Sequence, residues 1–413
     1  MKTVELPQLC WWNTCSLDIP FPHSWEVELC HMAGYERRAL DGKEIEKAIL
    51  NPIGTQPVGV AAKGKKEICI IFDDISRPTR TAAIVPHVLD ELHKAGIADD
   101  QIRFICALGC HGALTRNDFI KKLGEEVVSR FPIFNHNAFG NCTFVGTTSF
   151  GTNLHINAEV AKCDYKIALG SIVPHGLLGF GGGAKALLPG VASFETVSAM
   201  HRMTAPGGDS KTVDLGGMGC IEGNLLRENV EEAAEMAGLD FKIDALVNGW
   251  GETVAVYAGA PRAAFEAAVP EARAHYLTPR ATDCDVVVTN TFAKVNEGEG
   301  GAGIGFASLK KTGGDVVLIA NAPDGHVSHY LFGTWGSTTA NEFRLVIQLP
   351  PHVERLIIFN RYRDLTARSY FAPVEKVTMH DNWDDVLQAL RSRRGESAKV
   401  AVYSSAEIQY CDD

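Results

Sequence analysis

Three histidines and one lysine lie beside glycines in segments whose residue types suit an active site. His111 and His175 each precede a glycine, Lys185 follows the run Gly181-Gly182-Gly183-Ala184, and His201 lies further along the chain. Imidazoles exchange protons near neutral pH and bind transition metals. A lysine in a glycine run can approach a cofactor closely, because glycine has no side chain that would block it. Together these segments predict an enzyme.

A second polar segment reads Asp73-Asp74-Ile75-Ser76-Arg77-Pro78-Thr79 and follows a short apolar run. Pro78 restricts Arg77 to extended conformations, which favours a guanidinium that points outward. Since arginine makes paired hydrogen bonds to carboxylates and phosphates, we predict a loop that binds an anionic ligand. A salt bridge between Asp74 and Arg77 within the turn is the alternative interpretation.

The glycine run that ends in Lys185 is close to a phosphate-binding P-loop but departs from it at two positions. Ala184 replaces the glycine before the lysine, and Ala186 replaces the serine or threonine that binds magnesium. A nucleoside triphosphatase is therefore disfavoured. Backbone amides ahead of a helix can still hold one phosphate, and Lys185 can be a covalent nucleophile where its surroundings lower its pKa. A purely structural glycine turn is the alternative.

The elements that position these residues follow from apolar runs that alternate with amphipathic stretches from residue 67 onward. Strand–helix–strand order predicts mainly parallel sheets, with active-site loops at the carboxyl ends of the strands. We therefore predict an α/β fold with two domains, residues 1–265 and 266–413, and an active site in the cleft between them. The predicted strands cover residues 67–72, 102–108, 165–169, 241–247, 253–257, 286–289, 316–320, 356–359 and 400–403, and the predicted helices cover 82–94, 224–237, 263–275 and 381–391.

The predicted elements separate the roles of the three histidines. His111 and His175 each follow a predicted strand, so both imidazoles are expected at one rim of the sheet as acid and base. His201 lies near the end of a helix predicted over residues 193–200, which favours a ligand or structural role.

Composition limits the class of protein. The chain has 413 residues, 46% hydrophobic residues and a formal net charge of -11, and it lacks the concentrated cationic face that nucleic acids require. The first residues lack the apolar core of a signal peptide, and no apolar run approaches the roughly 18 residues of a membrane span. The eleven cysteines show no disulfide-framework spacing. We predict a cytoplasmic protein that binds neither nucleic acid nor membrane.

The segments of the first domain, taken in order, resemble the nickel-pincer-nucleotide lactate racemase family. The likeness rests on these linked motifs: Asp73-Asp74-x-x-Arg77-Pro78-Thr79, Gly109-x-His111, Pro174-His175 followed by Lys185, Leu188-Pro189-Gly190, and His201. By that resemblance the chain is a nickel-dependent isomerase. Its implied cofactor is pyridinium-3-thioamide-5-thiocarboxylic acid mononucleotide with nickel.

The resemblance also implies a role for each matching residue. Lys185 holds the cofactor through a thioamide, and His201 ligates nickel. Asp74 supports the site, and Arg77 binds the substrate carboxylate. His111 and His175 are paired acid/base residues for the two faces of the substrate. Beside these implied roles, we predict that Gly181, Gly182 and Gly183 bind the cofactor, because the backbone of a glycine run can approach it closely. Direct proton removal from Cα of a 2-hydroxy acid is difficult. A pyridinium-type cofactor can instead accept hydride from Cα while a histidine takes the hydroxyl proton.

The second domain departs from the lactate pattern of the family. Where lactate members carry substrate-binding glutamine and lysine, this chain has Lys294, Asn296 and Glu297, which we expect to replace them. A carboxylate near the substrate favours a hydroxylated chain, such as a sugar acid, over bare lactate. His326 and His329 either reach the cleft or belong to a polar loop that caps a strand.

We predict a racemase or epimerase of a small 2-hydroxy acid that receives its cofactor transiently from cofactor-biosynthesis proteins. Two alternatives stay open: a non-catalytic carrier or chaperone of the nickel cofactor, and a lysine Schiff-base lyase. An NAD-type dehydrogenase is disfavoured, because the GxGxxG fingerprint is absent after the strand that leads to Asp73.

Overall fold

Strands and helices alternate along the part of the chain that the computed structural model describes, which is residues 1–203, 217–332 and 346–412. The chain divides into two compact units. The motif unit comprises residues 37–248 and 252–273, and the C-terminal unit comprises residues 1–36, 249–251 and 274–413.

The strands confirm the predicted α/β class, and each predicted strand is present within a few residues. In chain order they are β1 (Lys2–Gln8), β2 (Cys15–Phe21), β3 (Glu26–Cys30), β4 (Ile68–Asp73), β5 (Ile102–Ala107), β6 (Ile133–Asn135), β7 (Cys142–Thr147), β8 (Asn153–Asn157), β9 (Tyr165–Ser171), β10 (Pro174–His175), β11 (Gly179–Phe180), β12 (Phe241–Val247), β13 (Thr253–Gly259), β14 (Val286–Asn290), β15 (Gly314–Ile319), β16 (Ile347–Gln348), β17 (Val353–Phe359), β18 (Phe371–Ala372), β19 (Val377–His380) and β20 (Lys399–Tyr403).

The helices also follow the predicted pattern, and in the described residues none is long and apolar enough to cross a bilayer. They are α1 (Gly42–Leu50), α2 (Val58–Ala61), α3 (Thr81–Lys94), α4 (Arg116–Leu123), α5 (Glu125–Arg130), α6 (Ala158–Lys162), α7 (Phe194–Arg202), α8 (Leu225–Met236), α9 (Pro261–Tyr276), α10 (Ala302–Ser308), α11 (Thr366–Ser369) and α12 (Trp383–Arg394). Short 3-10 helices cover Asp99–Gln101, Gly183–Ala186, Val295–Gly301 and Val374–Lys376.

The motif unit is built on a six-stranded sheet in the order β13-β12-β9-β4-β5-β6. All neighbouring strands are parallel except β13, which is antiparallel to β12. The chain builds outward from β4 through β5 to β6 and then returns to place β9 on the other side of β4. Loops at such a switch point diverge and leave a crevice at the carboxyl ends of the strands. The three motif segments follow β4, β5 and β9, as predicted.

The core of the motif unit explains why β4 reads as a continuous apolar run. Its residues from Ile68 to Phe72 are fully buried, which is typical of a parallel strand covered on both faces. On α3, which matches the helix predicted over residues 82–94, Ile84, Val85 and Val88 are fully buried in the same core. The burial of each such side chain stabilises the fold by about 1.5–3 kcal/mol.

The C-terminal unit has a second six-stranded sheet, in the order β19-β17-β15-β14-β20-β3, with every neighbouring pair parallel. Its two faces form separate cores. On one face, Leu6, Ile19 and Phe21 of the β1–β2 hairpin pack with Trp383 of α12. Both faces of this sheet are therefore covered, as a parallel sheet requires.

Residues 1–36 belong to the C-terminal unit in the structure, whereas from the sequence we predicted them to be part of an N-terminal domain of residues 1–265. The difference has a physical cause. The pairing partner of β3 is β20, near the other end of the chain. Local periodicity identifies a strand but carries no information about a partner so distant in sequence.

Two turns of the motif unit meet backbone to backbone. The N–H of Gly109, just after β5, donates to the carbonyl of Gly190 at 2.8 Å. A Cβ atom at Gly190 would lie 2.1 Å from the carbonyl oxygen of Ala186 and 2.9 Å from Cβ of Ala107. The turn after β5 and the segment that follows Lys185 are thus held together only if residue 190 is glycine.

We expect Gly190→Ala to lower the free energy of unfolding by about 1–3 kcal/mol or more, since the added methyl group overlaps backbone atoms that cannot move independently. Chemical denaturation measures this change. Gly176→Ala is the matched control, because a Cβ there meets no atom within 4 Å. Equal effects of the two substitutions would contradict the close packing at Gly190.

Candidate active site

Asp74 and His111 form a buried pair at the ends of two adjacent strands. Asp74 follows β4 and His111 follows β5, and their side chains are 3% and 8% exposed. Nδ1 of His111 contacts one carboxylate oxygen of Asp74, and the other carboxylate oxygen accepts the N–H of Ser76 at 2.8 Å. When the ring of His111 is neutral and its Nδ1 proton is directed at the carboxylate, Nε2 is a proton acceptor. This pair has the geometry of a general base and its orienting acid.

The charge state of Asp74 follows from competing effects. Burial by itself raises the pKa of this carboxyl, but the charge of His111, the hydrogen bond with it and the nearby charge of Arg77 outweigh burial. The pKa of Asp74 therefore lies below its ordinary value. The carboxylate stays ionised at neutral pH and stabilises a positive charge on His111.

Arg77 occupies the same turn as Asp74. Its Nη1 donates to the carbonyl of Ser76 at 3.1 Å and to the hydroxyl oxygen of Ser76 at 2.8 Å. The carboxylate of Asp74 is bonded to His111 and Ser76. The hydroxyl group of Ser76 thus links Arg77 to the carboxylate of Asp74 within the turn. The direct Asp74–Arg77 salt bridge considered from the sequence stays an alternative.

Lys122 on α4 holds this turn from behind, a role that sequence reasoning missed. Its side chain is fully buried, and Nζ donates to Asp73 at 2.6 Å and to the carbonyls of Arg77 and Thr79 at 3.2 and 3.1 Å. Burial raises the pKa of Asp73, and Lys122 partly offsets this effect. The available signal was helical spacing, since Lys122 lies three residues after the buried Phe119.

His175 has the opposite ring polarity. It lies in the β10–β11 hairpin, opposite Gly179. Its Nδ1 accepts from the N–H groups of Leu177 and Leu178, each at 3.2 Å. A neutral ring whose Nδ1 accepts must carry its proton on Nε2. His175 therefore offers Nε2 as a donor, whereas His111 offers Nε2 as an acceptor.

Lys185 and His201 lie close enough for their charges to interact. Lys185 is on the 3-10 helix Gly183–Ala186, and His201 is in the last turn of α7, where its Nδ1 donates to the carbonyl of Val197 at 2.8 Å. Burial lowers the pKa of His201 to about 4, and the charge of Lys185 acts in the same direction. His201 is thus a neutral imidazole with Nε2 as its lone-pair nitrogen, the state that binds metals.

The glycines before Lys185 are required by the fold. Gly182 and Gly183 have φ values of 78° and 59°, in the left-handed region that favours glycine. A Cβ at Gly182 would lie 2.7 Å from Ile172, and one at Gly183 would lie 2.9 Å from Phe265. Their Cβ positions thus face protein atoms. The predicted binding of the cofactor by Gly181, Gly182 and Gly183 stays a prediction.

The predicted substrate residues of the C-terminal unit cluster after β14. Nζ of Lys294 lies 4.0 Å from the carboxylate of Glu297. Asn296 is buried, and its Nδ2 donates to the carbonyl of Gly325 at 3.3 Å. Its Oδ1 has no hydrogen-bond partner among the described residues, so it is available to a hydroxyl donor.

His326 forms a second acid–imidazole pair in the C-terminal unit. Its Nδ1 lies 2.9 Å from the carboxylate of Asp364, which also accepts the backbone N–H of His326 at 2.7 Å. Burial raises the pKa of Asp364, but these bonds and one from Thr366 outweigh it, so the pKa is lowered. His329 accepts the N–H of Leu331 at 3.1 Å. No pattern in the sequence links Asp364 to His326.

The structure thus places every predicted site residue within its own unit. The motif unit brings Asp74, Arg77 and His111 into one contact group and places Lys185 within range of an electrostatic effect on His201. The C-terminal unit groups Lys294, Asn296 and Glu297 on one segment. The cleft predicted between the domains stays a prediction. The motif unit alone supplies an acid–histidine pair, a lysine and a histidine whose neutral form can bind a metal.

The chain is similar in sequence to known lactate racemases. Residues 12–212 match the family model for the lactate racemase N-terminal domain. The lactate racemase of Lactiplantibacillus plantarum is 29% identical over 300 residues, covering 71% of this chain and 69% of that protein. The lactate racemase of Thermoanaerobacterium thermosaccharolyticum is 29% identical over 333 residues, covering 79% and 76%.

Solved structures show the same fold. The lactate racemase apoprotein from Thermoanaerobacterium thermosaccharolyticum superposes with a TM-score of 0.72 at 22% identity and covers both chains completely. A protein from Thermotoga maritima superposes with a TM-score of 0.61 at 16% identity, covering 92% of this chain and 100% of that one.

The lowered pKa of Asp74 predicts how the stability of the protein depends on pH. We expect the free energy of unfolding of the wild-type chain to fall more steeply than that of Asp74→Asn between about pH 5 and pH 3. The pKa of Asp74 is lowered in the folded state. Its stabilising effect is therefore complete above the unfolded pKa of about 4 and is lost as the pH falls toward the folded value. Urea denaturation across this range measures the slopes.

Asp100→Asn provides the control for that measurement, because Asp100 is exposed. This variant should keep the wild-type slope. Parallel curves for the wild type and Asp74→Asn would show that the buried pair does not stabilise the folded state.

Proposed function

Because the chain is a divergent homologue of the lactate racemases, we propose that it is a racemase or epimerase of a 2-hydroxy acid. The observation that carries the proposal is the buried pair of Asp74 and His111. It lies in the segment that matches the lactate racemase N-terminal domain. An ionised carboxylate against an imidazole is the arrangement that removes a hydroxyl proton.

In this proposal His111 takes the hydroxyl proton of the substrate at Nε2. The positive charge that forms on the ring is stabilised by Asp74, which is already ionised. Arg77, in the same turn, binds the substrate carboxylate and fixes the hydroxyl group relative to His111. The low exposure of the pair keeps water from competing for the proton.

His175 serves the other face of the substrate in this proposal. At rest it presents an N–H at Nε2, which hydrogen-bonds to the substrate oxygen. When Nε2 exchanges a proton, the ring passes through the imidazolium, in which Nδ1 also carries a proton. The amides of Leu177 and Leu178 must then release Nδ1. Proton transfer at His175 is therefore coupled to a change in its own turn.

The residues around Lys185 and His201 fit the nickel-pincer nucleotide of the family. His201 is neutral and held through Nδ1, which leaves Nε2 as the ligand atom. Ser198 lies three residues earlier in α7, and its buried hydroxyl has no hydrogen-bond partner among the described residues. We propose that Lys185 holds the cofactor and His201 ligates nickel. When bound, the cofactor supplies an acceptor for the Cα hydrogen as hydride.

The substrate contacts proposed for the C-terminal unit are Lys294, Asn296 and Glu297. The buried Oδ1 of Asn296 has no hydrogen-bond partner among the described residues and can accept one from a substrate, as can the carboxylate of Glu297. Acceptors of this kind suit the hydroxyl groups of a sugar acid better than the methyl group of lactate. We further propose that the protein works in the cytoplasm, where biosynthetic proteins load its cofactor.

We expect a nucleotide-sized mass adduct on the wild-type chain when it is produced together with the pincer-nucleotide biosynthetic proteins. Lys185→Ala should lack the adduct, because it removes the attachment nitrogen, whereas Lys63→Ala, a change at an exposed lysine, should retain it. His201→Ala should keep the adduct and lose nickel. Intact-mass spectrometry and metal analysis measure both. An adduct that persists in Lys185→Ala would refute the assigned attachment site.

We expect His111→Gln, loaded with cofactor, to lose turnover by about 10²–10⁴-fold, the usual effect of removing a general base. Chiral chromatography of lactate and gluconate incubations measures turnover. His93→Gln is the control, because His93 forms an exposed pair with Asp99 at 2.8 Å. A loaded His111→Gln with wild-type turnover contradicts the racemase mechanism. An adduct on wild-type protein that turns over no 2-hydroxy acid favours the cofactor carrier.

A further inference from the structure

Three buried charged residues hold the glycine loop that precedes Lys185. Arg227 lies on α8, and Lys242 and Asp244 lie on β12, so all three come later in the chain than the loop. Their exposures are 2%, 0% and 0%. None of them belongs to the motifs that the sequence analysis selected. They reach the loop because β12 is the neighbour of β9, the strand that leads into it.

Asp244 holds the amide side of the loop. One carboxylate oxygen accepts the N–H of Gly183 at 2.8 Å, and the other accepts Nζ of Lys242 at 2.6 Å. Lys242 also donates to the carbonyl of Ile243 at 2.9 Å. Every partner is inside the protein, so the carboxylate is neutralised by a cation that is itself fixed on the same strand.

Arg227 holds the carbonyl side. Its guanidinium donates to the carbonyl of Phe180 and, at 3.3 Å, to that of Gly182, and Glu231 balances its charge at 3.2 Å. The guanidinium also lies over the ring of Phe265, 4.0 Å from its centre. A planar group with several N–H donors can bridge two carbonyls in a way that no aliphatic side chain can.

Close packing around the loop also fixes its conformation. A Cβ at Gly182 would lie 2.9 Å from the Asp244 carboxylate, and one at Gly183 would meet the same Phe265 ring that packs under Arg227. The loop is thus fixed by hydrogen bonds on both edges and by contact on its faces. Lys185 lies two residues after Gly183, whose N–H forms the last of these hydrogen bonds along the chain.

We infer that Arg227 and Asp244 are positioning residues that fix the loop so that Lys185 is presented for cofactor attachment. The inference rests on the proposed role of Lys185. Buried ion pairs often add little to stability compared with apolar residues of the same volume. What this network supplies is one defined loop conformation, which a covalent attachment site requires.

The test uses the full-length chain and two readouts. In Arg227→Met, amide hydrogen exchange of the apo protein should show at least about tenfold faster exchange in the peptide spanning residues 179–186 than in the wild type. Cofactor loading at Lys185, measured by intact mass after co-production with the biosynthetic proteins, should fall about tenfold. Arg227→Lys keeps the positive charge but replaces the planar guanidinium with an ammonium group, so its cofactor loading should be intermediate. This variant also keeps the test possible if Arg227→Met does not fold.

Arg262→Met is the matched control, because Arg262 forms ion pairs with Glu228 and Glu235 but is more than one-third exposed. It should match the wild type in both readouts. Wild-type loading in Arg227→Met and Arg227→Lys, beside an adduct on the wild type, overturns the inference alone. A wild type without any adduct overturns the proposed role of Lys185 and this inference with it.

Discussion

The ionised carboxylate of Asp74 inside the protein is the constraint on which the motif unit depends. A buried charge is unfavourable unless charged and hydrogen-bonding partners surround it. Here the partners come from its own turn, through Ser76, and from the next strand, through His111. That requirement ties the ends of β4 and β5 together. Lys122 meets the same requirement for Asp73 on the other side of the turn. The turn from Asp73 to Thr79 is thus held on both sides by buried charged residues.

Each of the two units contains an acid paired with a histidine, but the two pairs make different contacts. Each has a mainly parallel sheet, and each pairs an acid with a histidine in the loops that follow the carboxyl ends of the strands. In the motif unit the acid and the histidine follow adjacent strands. In the C-terminal unit Asp364 also binds the backbone N–H of His326, so the carboxylate shapes the loop as well as the ring. In the first pair the carboxylate contacts the ring of His111, and in the second it contacts both the ring and the backbone of His326.

Much of this architecture was predictable from local patterns. The apolar run of β4, the stripe of α3 and the cap of α4, where Thr115 pairs with Asp118, are all encoded within a few turns of chain. The glycine run was also found, but two of its glycines are needed for packing and for left-handed backbone. Their prediction as cofactor contacts depended only on the fact that glycine has no side chain to block a cofactor.

What could not be predicted depends on contacts between distant parts of the sequence. Arg227, Asp244 and Asp364 are charged residues in ordinary elements, and only the folded topology shows which backbone groups they reach. The same holds for β3, which pairs with β20. The predicted substrate residues of the C-terminal unit were found by comparison with a motif that they only partly match, so their surroundings had to come from the structure.

In the racemase reaction proposed above, the opposite proton positions of the neutral His111 and His175 rings would have a kinetic consequence. For two enantiomers the equilibrium constant is unity, so the ratio of kcat/KM in the two directions is fixed whatever the enzyme does. Unequal histidines cannot favour one enantiomer at equilibrium. They can, however, make kcat and KM differ together between the two directions, because each substrate meets a differently protonated partner at rest. The asymmetry of the two rings thus sets how much of each enantiomer is held on the protein at steady state.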